Sequence, residues 1–210
     1  MTKEDNESIS RIVLASSSPR RKELVAALDL SLPVYILSTD SDETVESGWT
    51  PVQTVETLSL RKARAALDML RQNKAHESTP GDLIIAADTI VALDGEILGK
   101  PASDSEAEEM LRKLSGRTHE VYTGVVCLSA RSEKTIVQHR RTSVQMRELS
   151  DKRIARYVAT GEPRDKAGAY GIQGFGGALV EGIEGCFFNV VGLPLALLSD
   201  MLAQYGIETS

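Results

Sequence analysis

Three observations predict an α/β fold with a mixed sheet. Apolar runs of strand length alternate with segments of helical periodicity along the 210 residues, the pattern of strand–helix crossovers. A hairpin signal, Asp94-Gly95, joins two of the apolar runs, so antiparallel pairs are expected beside the parallel ones. Hydrophobic residues make up 41% of the chain, enough to bury a core.

The elements follow in order. Residues 1–10 are polar and partly acidic and read as a flexible tail before a single domain over 11–210. Arg11–Ala15 (RIVLA) is a short buried strand. Ser18 and Pro19 supply an N-cap and a first helical residue, and Leu24, Val25 and Leu28 continue at helical spacing to about residue 28. A strand is expected over 34–38, followed by an acidic loop with Asp40, Asp42, Glu43 and Glu46. Thr50-Pro51 opens a long helix to about residue 73, and a polar connection covers 74–82. Residues 83–93 are almost wholly apolar, and 96–98 return from the hairpin. Ser103 and Glu106 form a capping-box pattern for a helix ending near Gly116. Strands are expected over 120–130 and 135–148, and a helix over 150–160 that Gly161 stops. After a glycine-rich stretch, 178–184 and 187–191 read as strands, and 194–205 as a closing helix.

Composition excludes several functions. Aromatic residues are only 4% and the net charge is −6, which argues against stacking on single strands and against broad binding to a polyanion. A basic pocket is still open, because net charge says little about one cleft. Cys127 and Cys186 sit in apolar runs and read as buried free thiols, with no Cys/His cluster for zinc. No signal-peptide pattern and no membrane-length apolar run occurs, so the chain reads as cytoplasmic, without membrane or nucleic-acid partners.

Several places carry candidate chemistry. Arg20 and Arg21 occupy the first turn of a helix, where a cation is mildly unfavourable unless an anion sits there too. Backbone N–H groups, the hydroxyls of Ser16 to Ser18 and both guanidiniums would converge on such an anion; the alternative is two solvated arginines. Lys62 falls on the apolar stripe of its helix, so it either snorkels to water or points into a polar pocket. Asp88 interrupts an apolar run and must be desolvated, paired or metal-bound, unless it caps a turn at the strand's end. A carboxylate stripped of water is a stronger base, which suits activation of a water molecule, whereas a metal or a lysine would oppose that effect. Thr89 adds a hydroxyl. Lys100 by itself reads as a solvated loop lysine; the acidic loop with Asp42 and Glu43 is ordinary as solvated charge, or else ligates a magnesium ion. His119 either assists or is structural. Asp165 and Lys166 run into Gly168, Gly171, Gly174, Gly176 and Gly177, which either admit a ligand to the backbone or make a structural turn. The amide of Gln173 can donate and accept, as the edge of a base requires.

The segments LASSSPRRKEL (14–24), AADTIV (86–91), GKP (99–101), LSGRTHEVYTGV (114–125), GEPRDKAGAYGIQG (161–174) and NVVGLPL (189–195) together resemble, in the same order, the Maf family of nucleotide pyrophosphatases. The resemblance implies an elongated mixed sheet in two lobes with flanking helices and a central cleft, an ITPase-like architecture. It implies hydrolysis of a nucleoside triphosphate between the α- and β-phosphates with a divalent metal cation, Mg²⁺ foremost, with Mn²⁺ and Co²⁺ as alternatives. Asp88 takes the position of the proton acceptor. Arg20, Thr89 and Gln173 match the specificity positions of the branch acting on dTTP and UTP rather than on 7-methyl-GTP. Arg20, Arg21, Lys62, Lys100 and Lys166 match phosphate-binding positions, and Glu43 an acidic one. Some members have glutamate where this chain has Gly99, so Glu43 and Asp88 are the metal ligands expected here. A homodimer is also implied. The alternative function implied is a non-enzymatic nucleotide-binding regulator of cell division.

Overall fold

A computed structural model describes residues 8–72 and 81–209. Most of the expected tail (1–7) and of the connection after the long helix (73–80) lies outside the described residues. The strands are β1 (Arg11–Ala15), β2 (Val34–Leu37), β3 (Asp82–Leu93), β4 (Glu96–Leu98), β5 (Thr118–Ser129), β6 (Thr135–Met146) and β7 (Val180–Glu184). The helices are α1 (Pro19–Ala26), α2 (Pro51–Gln72), α3 (Asp104–Leu114), α4 (Asp151–Val158), α5 (Phe187–Val191) and α6 (Leu195–Ala203).

All seven strands form one mixed sheet in the order β2-β1-β3-β5-β6-β7, with β4 added to β3. β1 runs parallel to β2 and β3, and the other pairs are antiparallel. The Asp94-Gly95 turn that sends β4 back has positive φ at both residues, 51° and 83°, as a two-residue hairpin of matching twist requires. Ser103 caps α3 by accepting from the Glu106 N–H, and Glu106 in return accepts from the Ala102 N–H at 2.7 Å. A capping bond such as that of Ser103 contributes about 1 kcal/mol.

Two cores share the long strands. At the parallel end, Leu14, Ile85 and Val125 pack under α1 and α6 on one face, with Leu197 and Leu198. On the opposite face, Ile84, Ala86 and Val126 pack under Ala66 and Leu70 of α2. At the antiparallel end, Leu93 and Val121 pack against Leu111 of α3 and Ile154 of α4. β3 and β5, twelve residues each, pass through both ends, which is why their sequences are apolar on both faces.

The shared strand β3 carries a gap. β1 pairs with it only as far as Ala15 opposite Ala86, and β4 begins at Leu98 opposite Val91. Residues 87–90 therefore have no strand on that side among the described residues, while β5 pairs them on the other. Asp88 and Thr89 stand in the gap.

Two expectations need correction. Residues 187–191 form helix α5, not a strand. Periodicity cannot separate the two in so short an apolar run. The side chain of Asn189 is satisfied across the sheet, donating to Val121 O and Thr142 Oγ1, both at 3.0 Å. Cys186, just before α5, is half-buried rather than enclosed, while Cys127 is buried, and that burial pushes its thiol up to about 12. Both are free.

Candidate active site

At the end of β1 the chain turns through Ser16-Ser17-Ser18 into α1 beside the gap. A cavity of about 420 Å³ opens there. Ser18, Arg20, Arg21, Glu43, Lys62, Asp88, Thr89, Lys100, Lys166 and Gln173 all border it. Five cationic side chains meet three carboxylates, those of Glu43, Asp88 and Asp165, within the one cleft.

Neighbouring residues of a strand face opposite sides, so Asp88 and Thr89 serve different partners. Asp88 faces α2. Leu58, Lys62 and Ala66 are spaced by four on that helix, and both apolar members are buried, so Lys62 is carried inward with them. Its ammonium donates to Asp88 Oδ1, and its side chain is only 14% exposed, so it does not snorkel. Glu43 Oε1 meets the same ammonium at 3.0 Å, and Glu43 Oε2 lies 3.8 Å from Lys100 Nζ. Partial burial works to raise the Glu43 carboxyl, but the hydrogen bond and charge of Lys62, helped by Lys100 and Arg21, hold it below the usual carboxylate range.

Thr89 faces the other side, toward α1 and α5. Arg21 donates from Nε to Gly192 O at 2.8 Å and from a terminal nitrogen to Thr89 Oγ1 at 2.9 Å. Thr89 Oγ1 lies 2.9 Å from Thr123 Oγ1, which donates to Asn189 O at 2.9 Å. Burial pulls the Arg21 guanidinium below its ordinary pKa, against the attraction of Asp88.

Ser18 takes the N-cap position of α1, but its hydroxyl makes no capping bond; instead its N–H donates to Ser16 Oγ at 3.2 Å. The first turn of α1 holds no acidic residue. The helix therefore presents a positive, uncapped end to the cleft.

The rim is looser. Arg20 pairs with Asp165 at 3.5 Å, and Lys166 donates to Asp165 at 2.6 Å and to Glu162 O at 2.7 Å. Gln173 is exposed at the edge. The glycines beside it pack against protein. The Glu162 carboxylate accepts from the N–H groups of Phe175 and Gly176 and from the Tyr157 hydroxyl. A Cβ on Gly174 would lie 2.2 Å from that carboxylate, so any other residue there would push the Glu162 side chain off these bonds. Of the two roles open to this stretch, the structural turn accounts for Gly174. His119 does not border the cavity: it is buried, its Nε2 meets the Tyr170 hydroxyl at 2.8 Å, and burial pulls its pKa down to about 4.

Among the described residues no three His, Cys, Asp or Glu side chains cluster as a metal cage. Two carboxylates, Glu43 and Asp88, converge on one cationic point, the Lys62 ammonium. That donor set suits a hard cation completed by phosphate oxygens and water, the habit of Mg²⁺ at nucleotides.

Thr123, Asn189 and Tyr170 were not singled out from sequence, and Asp165 was noted without a role of its own. Thr123 and Asn189 carried the signal that exposed Asp88, a polar residue inside an apolar run. Asp165 had only its place beside Lys166.

Residues 11–205 match the family described as Maf-like protein. The chain is 49% identical over 198 residues to a dTTP/UTP pyrophosphatase of Pelotomaculum thermopropionicum, covering 94% of this chain and 98% of that one. It is 49% identical over 200 residues to a dTTP/UTP pyrophosphatase of Moorella thermoacetica, covering 95% and 97%. Among solved structures, the Staphylococcus aureus Ham1 protein aligns at 19% identity with a TM-score of 0.45, over 65% of this chain and 72% of that chain.

Proposed function

The chain belongs to the Maf-like protein family, and from that premise we propose that it is a pyrophosphatase that hydrolyses dTTP and UTP to the nucleoside monophosphate and diphosphate. The observation that carries the reading is the concentration of five cationic side chains around one buried aspartate, in a chain whose net charge is −6. A triphosphate is the small anion that such a cleft suits.

In this reading Arg20, Arg21, Lys62, Lys100, Lys166, the Ser18 hydroxyl and the start of α1 hold phosphate oxygens. Lys62 donates to Asp88. Phosphate oxygens compete for the same ammonium and release a carboxylate oxygen. Asp88 then accepts a proton from a water molecule whose oxygen bonds to the α-phosphorus. The bond from that phosphorus to the α–β bridging oxygen breaks, and pyrophosphate leaves with the oxygen. Glu43 and Asp88 would hold a divalent cation, Mg²⁺ foremost, and the ion would offset charge developing on the phosphates. Gln173 reads the pyrimidine edge beside Thr89 and Arg20. No helix among the described residues is long and apolar enough to cross a membrane, and the reading places the enzyme in the cytoplasm with its nucleotides.

Incubation with Mg²⁺ and a panel of triphosphates tests this directly. UMP or dTMP with pyrophosphate is the expected product pair. Orthophosphate with a nucleoside diphosphate would overturn the cleavage position. Gln173→Ala should bring kcat/KM for UTP and dTTP within about tenfold of the other triphosphates, the loss of a polar contact to one base edge. Unchanged selectivity removes Gln173 from base reading.

A further inference from the structure

The cleft floor contains a hydrogen-bond relay whose direction is fixed. Asn189 O is a carbonyl and only accepts, so the single proton of the Thr123 hydroxyl is committed to it. Arg21 only donates, so Thr89 Oγ1 receives from it. The remaining contact, Thr89 to Thr123, must then be made with the proton of Thr89. The chain of donation runs from Arg21 through Thr89 and Thr123 to Asn189 O.

The relay ends on a rigid point. Thr123 is fully buried on β5, and the Asn189 side chain is pinned by two bonds to the sheet. The same turn of α5 offers Gly192 O to Arg21 Nε. Arg21 is thus held from both ends of one short segment, directly by Gly192 O and indirectly through two threonines. Its other N–H bonds stay available to the cavity it borders.

We propose that Thr123 is a positioning residue, which by accepting the Thr89 proton keeps Thr89 an acceptor toward the cavity and holds Arg21 in its phosphate-facing pose. Thr123 does not border the cavity, so it acts through Thr89. The proposal rests on the reading of this cleft as the triphosphate site.

Thr123→Val keeps the shape and removes both bonds. With UTP and Mg²⁺, KM should rise about tenfold with kcat within about twofold, the scale of one hydrogen bond to a charged network. The melting temperature is measured alongside. Thr123→Ser restores the hydroxyl and should return KM to within about twofold of the wild type, which a packing role would not do. In Thr89→Val the relay is already broken, so adding Thr123→Val should have no further effect on KM. A wild-type KM in Thr123→Val, failure of serine to rescue, or multiplying effects in the double variant overturns the proposal. An unchanged KM in Thr89→Val alone overturns the assignment of Thr89 to the substrate site, and the proposal with it, so the two failures are distinguishable. Should Thr123→Val unfold, Thr123→Cys, close in shape and poor at both bonds, is judged by the same outcomes.

Discussion

The floor and the rim of the cleft use the same residue types in opposite ways. On the floor, Lys62 and Asp88 pair at 14% and 11% exposure, and Arg21 is fastened at two points. On the rim, Lys100 meets Glu43 at 3.8 Å and Arg20 meets Asp165 at 3.5 Å, with side chains 29% to 65% exposed, and Lys166 alone is as buried as the floor, at 13% and 2.6 Å from Asp165. Charges held in low dielectric interact strongly and cannot relax, whereas exposed pairs are screened and exchange partners with water. Position relative to the sheet, rather than residue type, separates the two groups. The floor is preorganised, and the rim is free to be remade by a ligand.

The comparison can be broken from its strong side first. Asp88→Asn should lower kcat about 10³-fold while nucleotide binding is retained, as removal of a general base does. Single-turnover assays beside calorimetric titration check it, and wild-type turnover would take Asp88 out of the chemistry. A second test concerns the support beneath the floor. His119 holds Tyr170, which borders the cavity. Burial lowers its folded pKa to about 4 from an ordinary 6.5. Between those values the unfolded chain binds more protons. The contribution of neutral His119 is therefore complete above pH 6.5 and is lost as pH falls toward 4, amounting to about 2–3 kcal/mol. Urea unfolding at pH 7.5 and 4.5 should show a slope that His119→Gln flattens; an equal slope in the variant means other groups carry it. The smallest effect belongs to the rim. Asp165→Asn should change kcat/KM by less than about threefold, and the change should shrink further with added salt, as for other exposed pairs. A larger loss that persists in salt would put Asp165 with the floor.

Much of this arrangement was legible in the sequence, for identifiable reasons. β1 and β3 are runs of buried side chains, and such runs announce strands whatever lies around them. Asp88 was visible because a charge inside such a run demands a partner. The partner could be narrowed only to the phase of a helix: α2 puts Lys62 on the buried stripe, and the structure shows that the stripe faces β3. The helical state of 187–191 was hidden, because its deciding contacts come from Val121 and Thr142, 68 and 47 residues away from Asn189. The glycines after Lys166 were ambiguous because their neighbours are set by the fold: Gly168 lies against Val91 and Gly174 against the Glu162 carboxylate. Ser18 looked like a cap, but its hydroxyl is not used as one. Local chemistry announces which polar groups need partners; the pairing itself is tertiary.

The gap in the sheet also bears on how the molecule comes apart. β3 and β5 belong to both cores, so the hairpin at Asp94-Gly95 is not a seam along which the chain divides into halves. A fragment cut there would lack strands from each hydrophobic cluster and should not fold on its own. Amide protons of β5 opposite residues 88 and 89 should therefore exchange only through global unfolding, as slowly as any in the protein. Asp88 and Thr89 sit on a strand shared by both ends of the sheet, so cleft and fold should be lost together.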